Sequence, residues 1–142
     1  MSNCKNSNVA RITATLAAGS AASPYYVMAN ITKRLCRPVC ASNTPVFSPA
    51  FSLVGFSQVG TGQYVAVVRV QGCICYNPCG TDGCCSRTET VSQTFTIPFA
   101  SATAPTSVTV AAGNTVNAVS VTGCQSCGRT FVSETPLTLT VA

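Results

Sequence analysis

Seven of the chain's ten cysteines fall in two short stretches, and thiols at such spacing support three kinds of chemistry. Cys73, Cys75, Cys79, Cys84 and Cys85 form the first stretch, and Cys124 and Cys127 the second. Their thiolates suit zinc or iron–sulfur ligation, redox exchange, or structural disulfides. Structural zinc sites use paired C-x2-C or C-x4-C knuckles, and only Cys124 with Cys127 has that form. Cys36 with Cys40, and Cys75 with Cys79, are one residue too loose or too tight for it. A thioredoxin-like role for Cys124 and Cys127 requires a helix start, whereas this pair sits between strand-forming segments. The disulfide candidates are Cys36, Cys40, Cys73, Cys75, Cys79, Cys84, Cys85, Cys124 and Cys127, with metal ligation as the competing use. No metal ligand and no cofactor is assigned, and the pairing stays open. Adjacent Cys84 and Cys85 point to two different partners.

Cys4 stands apart, on a polar arm ahead of the first apolar segment. It is either a simple terminal thiol or a tether that locks the arm to another subunit. Nucleophilic catalysis finds little support around any of these groups. The chain has no histidine, so it lacks the usual base near neutral pH. Its side-chain carboxylates are Asp82, Glu89 and Glu134. Neither Lys5 nor Lys33 lies in an S-x-x-K arrangement, and no glycine-rich phosphate loop is present. The expectation is a protein that is not an enzyme, with no catalytic residue and no small-molecule substrate.

The formal net charge is +5, with lysine used twice. That falls short of the dense basic patch of a nucleic-acid binder, so no nucleic acid is expected as a partner. Lys33, Arg34 and Arg37 beside Pro38 read as a solvated basic loop. Asn30-Ile31-Thr32 matches a glycosylation acceptor, a short pattern that chance produces readily.

The elements that must position these residues read as strands and turns. At 142 residues the chain is one domain with room for a real core. Residues 1–8 form a polar connector arm and residues 9–142 the domain. The segment from Val9 to Ala22 contains Arg11 and several hydroxyl residues, which fits neither a signal peptide nor a membrane helix. No membrane insertion is expected. Ala10, Ile12, Ala14 and Leu16 alternate with polar residues, as in a half-buried strand. Tyr25 to Thr32 reads as a second strand. Residues 33–50 read as a cysteine-held loop, because repeated proline cannot supply ladder donors. Phe51 to Val59 and Gln63 to Val70 follow, the latter apolar on both faces and hence central.

Residues 72–85 carry the turn formers Asn77-Pro78 and Asp82-Gly83. Val91, Gln93, Phe95, Ile97 and Phe99 then alternate with Thr90, Ser92, Thr94 and Thr96. Shorter strands are expected at Val108 to Val110, Thr115 to Thr122 and Leu137 to Val141. Seven to nine short strands without helix give an all-β, single-domain β-sandwich, with an eight-stranded jelly roll fitting the count.

With Thr90, Ser92, Thr94, Thr96, Thr138 and Thr140 outward, the sheets present uncharged hydroxyl surfaces. Natural monomers protect open edges with charge, and this chain has little. Open edges suit β-augmentation, in which a neighbouring copy supplies the next strand.

The arm carrying Cys4, the Thr- and Val-rich β domain, and the many cysteines without a signal peptide resemble the subunits of bacterial endospore appendages. The resemblance implies a jelly-roll subunit that stacks into fibres by β-augmentation. It also implies connector cysteines that bond to other subunits, a role that Cys4 would take. The arm here holds one cysteine where that pattern has a close pair, and Leu137 to Val141 holds none. The expected function is structural: a self-assembling homo-oligomer or helical polymer at a cell or spore surface, extracellular after assembly. The alternatives are a small viral coat or tail protein, and a zinc-stabilised or lectin-like binding module.

Overall fold

Alternation of apolar and polar side chains becomes nine β-strands in the computed structural model, which describes residues 10–16, 23–40, 44–78, 87–120 and 127–142. In chain order these are β1 (Arg11–Leu16), β2 (Tyr25–Cys40), β3 (Val46–Phe47), β4 (Ala50–Gly60) and β5 (Gln63–Tyr76). They continue with β6 (Arg87–Ala100), β7 (Val108–Ala112), β8 (Val116–Ser120) and β9 (Cys127–Val141). No helix occurs among the described residues. The expected connector arm lies outside them.

Among the described residues all strand pairings are antiparallel and divide into two sheets. In the first, β9 lies between β2 and the successive pieces β7 and β8, while β1 pairs the far side of β2. In the second, β5 lies between β6 on one side and β3 followed by β4 on the other. The result is the expected β-sandwich. In the second sheet β4, β5 and β6 form a plain meander.

The inward faces supply one core. Val27, Ala29, Ile31 and Leu35 of β2 and Phe131, Leu137 and Leu139 of β9 come from one sheet. Ala66, Val68, Val70 and Ile74 of β5 and Val91, Phe95, Ile97 and Phe99 of β6 come from the other. Phe47 and Phe131 meet edge to face across the sheets with centroids 5.7 Å apart. Tyr64 stacks on Phe99 at 5.6 Å. Each such large side chain contributes about 1.5–3 kcal/mol through burial. At the side of the sandwich, Gln93 of β6 grips Ala10, accepting from its N–H at 2.9 Å and donating to its carbonyl at 2.8 Å. That pair of bonds ties the residue preceding β1 to a side chain of β6 and uses no main-chain group of β6.

Two strands run further than their prolines suggest. Of the loop expected over residues 33–50, residues 33–40 are instead the second half of β2, and Val46–Phe47 and Ala50 belong to β3 and β4, while residues 41–43 lie outside the described residues. Pro38 falls in the register shift between Arg34 and Val39, where the ladder to β9 is already interrupted. β9 likewise extends back from Leu137 to Cys127, through Pro136. The missing donor is tolerated there because the neighbouring edge strand is itself broken. β7 ends opposite Leu137, β8 begins opposite Glu134, and Gly113 N–H bonds the Pro136 carbonyl at 2.8 Å. β5 also continues past Val70 to Tyr76, taking the first cysteines of the dense segment into the sheet.

Candidate functional site

Three strand ends converge where the cysteines lie. β2 finishes against the start of β9, with Val39 opposite Gly128 and Cys40 opposite Cys127 in register. A single bridge joins Val39 to Pro78, just beyond β5. The topology therefore gathers Cys36, Cys40, Cys73, Cys75 and Cys127 at one end of the sandwich. Cys36 is buried and Cys75 half-buried, and both are disulfide-bonded. Cys73 is exposed and carries a free thiol, so within this chain it does not form the disulfide expected of it. Ile74 takes the inward position, which turns both Cys73 and Cys75 to the outer face, Cys73 beside Thr90 on β6. Cys4, Cys79, Cys84, Cys85 and Cys124 lie outside the described residues.

Beneath this end lies a polar cluster that sequence reasoning missed. Lys33 of β2 donates from Nζ to Glu89 Oε1 of β6 at 2.9 Å, with both side chains 6% exposed. The other carboxylate oxygen, Oε2, accepts from the Cys36 backbone N–H at 2.9 Å and from the Tyr76 hydroxyl. Arg87 Nε stands 4.0 Å from Oε2 and has no hydrogen-bond partner. Burial by itself would raise the Glu89 pKa, but bonds from Tyr76, Cys36 and Lys33 outweigh it and hold the carboxyl below its usual range. Tyr76 is pushed up to about 12, by burial first and by the Glu89 carboxylate next. The available signal was phase. Lys33 continues the inward series of Ala29 and Ile31, and Glu89 that of Val91 and Phe95, so two opposite charges both occupied core positions.

The edges and outer faces form the other candidate feature. β6 pairs β5 without a register shift from Arg87 to Ala100, and among the described residues no strand pairs its outer side. Thr88, Thr90, Ser92, Thr94 and Thr96 are all exposed, as the alternation predicts. The exposed positions of β6 carry no charge, and Pro98 alone interrupts its donors. The opposite edge, β4, is also uncharged but is disrupted at Leu53/Gly55 and at Gln58/Gly60. Such irregularities twist an edge away from partners. Next to the end of β6, Leu16, Val59, Tyr64, Pro98 and Phe99 line an open groove of about 380 Å³ at the end far from the cysteines. Val59 is 61% exposed there.

Thr138 and Thr140 fall on the outer face of the first sheet, half-buried and exposed respectively. Lys33 is removed from the expected solvated loop and buried, while Arg34 remains exposed. No helix of the described residues is long and apolar enough to cross a membrane. No protein-family model, curated protein or solved structure matches the chain.

Proposed function

We propose that this chain is a structural subunit that self-assembles into a fibre by β-strand augmentation and is fixed by disulfides. The observation that carries the reading is β6: a regular edge strand with uncharged exposed positions and an unpaired outer side among the described residues. Main-chain groups on such an edge offer a neighbouring strand a ready ladder, and no lysine or glutamate opposes its approach. The groove beside Leu16, Val59 and Pro98 gives the added segment an apolar seat.

Durability in this reading comes from the thiols. Cys73 presents an exposed thiol on the outer face of the β5–β6 sheet, where a neighbouring copy can reach it. Cys4, on the arm, is the tether that would reach it. A covalent link removes the concentration dependence of assembly, since a bonded neighbour cannot dilute away. The spore- or cell-surface location follows from the resemblance to endospore appendages. The protein performs no catalytic step in this account.

Negative-stain electron microscopy of the purified chain, kept free of reductant, tests the proposal. Uniform fibres are expected, and Cys4→Ser fibres should break more readily in denaturant. Closed shells would move the assignment to a viral coat. Dispersed single particles would overturn self-assembly.

A further inference from the structure

We propose that Lys33 and Glu89 condense inside the folded domain to form an amide, covalently joining β2 of one sheet to β6 of the other. The reactants are already in contact, with Nζ 2.9 Å from Oε1 in a site shielded from water. Contact of this kind, held by a folded scaffold, replaces the entropy cost of bringing two groups together. The second carboxylate oxygen carries two directed donors, the Cys36 N–H at 2.9 Å and the Tyr76 O–H, with the Arg87 guanidinium nearby. Those groups point at the atom on which charge develops when a carboxyl carbon is attacked, which is the arrangement of an oxyanion hole.

The step balances without a co-reactant. The Lys33 ammonium passes one proton to Glu89 Oε1, leaving a neutral amine and a carboxylic acid. The amine lone pair then bonds to Cδ, and the carbonyl electron pair moves onto Oε2 between Tyr76 and Cys36. Collapse of this intermediate breaks the Cδ–Oε1 bond. Oε1 leaves as water, with the proton it received and a second one from the nitrogen. One ammonium and one carboxylate become one amide and one water, and nothing is oxidised or reduced. Oε2 remains as the amide carbonyl, still accepting from the same donors.

Burial supplies the driving force. Two charges held out of water are costly even when paired, and the product is neutral. The lowered pKa of Glu89 makes its carboxylate a poor proton acceptor and the first transfer uphill, so the reaction is slow and happens once per chain. Tyr76, pushed up to about 12, stays protonated and able to donate throughout. The bond is independent of assembly, because a chain that never forms fibres would carry it as well.

Mass spectrometry of the full chain, unfolded, reduced and thiol-alkylated, decides the matter. The chain should weigh one water less than its unlinked form, with a Lys33→Arg variant supplying the unlinked reference. Proteolysis should fail at Lys33 and yield a branched peptide joining it to Glu89. Tyr76→Phe should link about 10²-fold more slowly, as expected for loss of one oxyanion donor. A wild-type chain of full mass after prolonged incubation would overturn the proposal, as would a water loss mapped to any other pair. Equal linking rates in wild type and Tyr76→Phe would overturn the role given to Tyr76.

Discussion

Lys33 owes its burial to Glu89, and each is costly without the other. Removing one partner of a buried ion pair leaves an uncompensated charge, worth about 3–5 kcal/mol. Glu89→Ala should therefore lower stability by roughly that amount in denaturant unfolding of the Lys33–Glu89 site. Changing Lys33→Met and Glu89→Leu together, with Tyr76→Phe, should restore much of it, since no charge is then stranded. The orphaned Cys36 N–H keeps the recovery incomplete. Tyr76 gives the site a signature in alkali. Beside the unlinked Glu89 carboxylate its hydroxyl ionises near 10.0 when unfolded and at about 12 when folded, so its contribution is complete below pH 10.0 and is lost as pH rises toward 12. Tyr76→Phe should flatten that alkaline decline in a pH series of melting curves. Glu89 acts in the opposite sense, stabilising above its unfolded pKa and losing that contribution as acid reaches the lower folded value. In a chain already linked through Glu89 that acid loss is absent.

Strands are held by local fit as well as by pattern, and Gly72 on β5 shows where fit is tightest. A Cβ at this position would sit 2.8 Å from Phe47 Cε1 and 3.2 Å from Pro49 Cα. Phe47 is 2% exposed and packed against Phe131, so its ring has little room to retreat. Gly72→Ala should cost about 1–3 kcal/mol, and Phe47→Leu in the same chain should recover part of that in thermal unfolding. The alternation of β6 was legible from sequence because period two is a local property: Val91 to Phe99 is read without knowing what lies opposite. The passage of β2 through Pro38 and of β9 through Pro136 was not legible. Whether a missing donor matters depends on the neighbouring strand, here interrupted at the same level, and its residues lie far away in the chain. Lys33 and Glu89 were obscured for the same reason. A charge in a core phase reads as a loop residue until its partner, 56 positions away, is known.

At the scale of the whole molecule, assembly along β6 should depend on backbone hydrogen bonds and apolar contact, with charge acting only as weak repulsion between copies. Ser92→Lys with Thr96→Lys places two cations on the open edge while leaving the core untouched. Such surface changes should alter monomer stability by no more than about 0.5 kcal/mol, yet they should abolish fibres seen by negative stain. Ionic strength separates this mechanism from charge-led association. Every copy carries a formal +5, so added salt screens mutual repulsion without weakening an uncharged edge. Sedimentation of unreduced protein should show assembly equal or faster when salt is raised from about 50 mM to about 200 mM. Across that range a complex held by phosphate contacts loses affinity steeply. Assembly that dissolves in salt, or that requires added nucleic acid, would place the adhesive surface among the arginines instead of along the hydroxyl-lined edge.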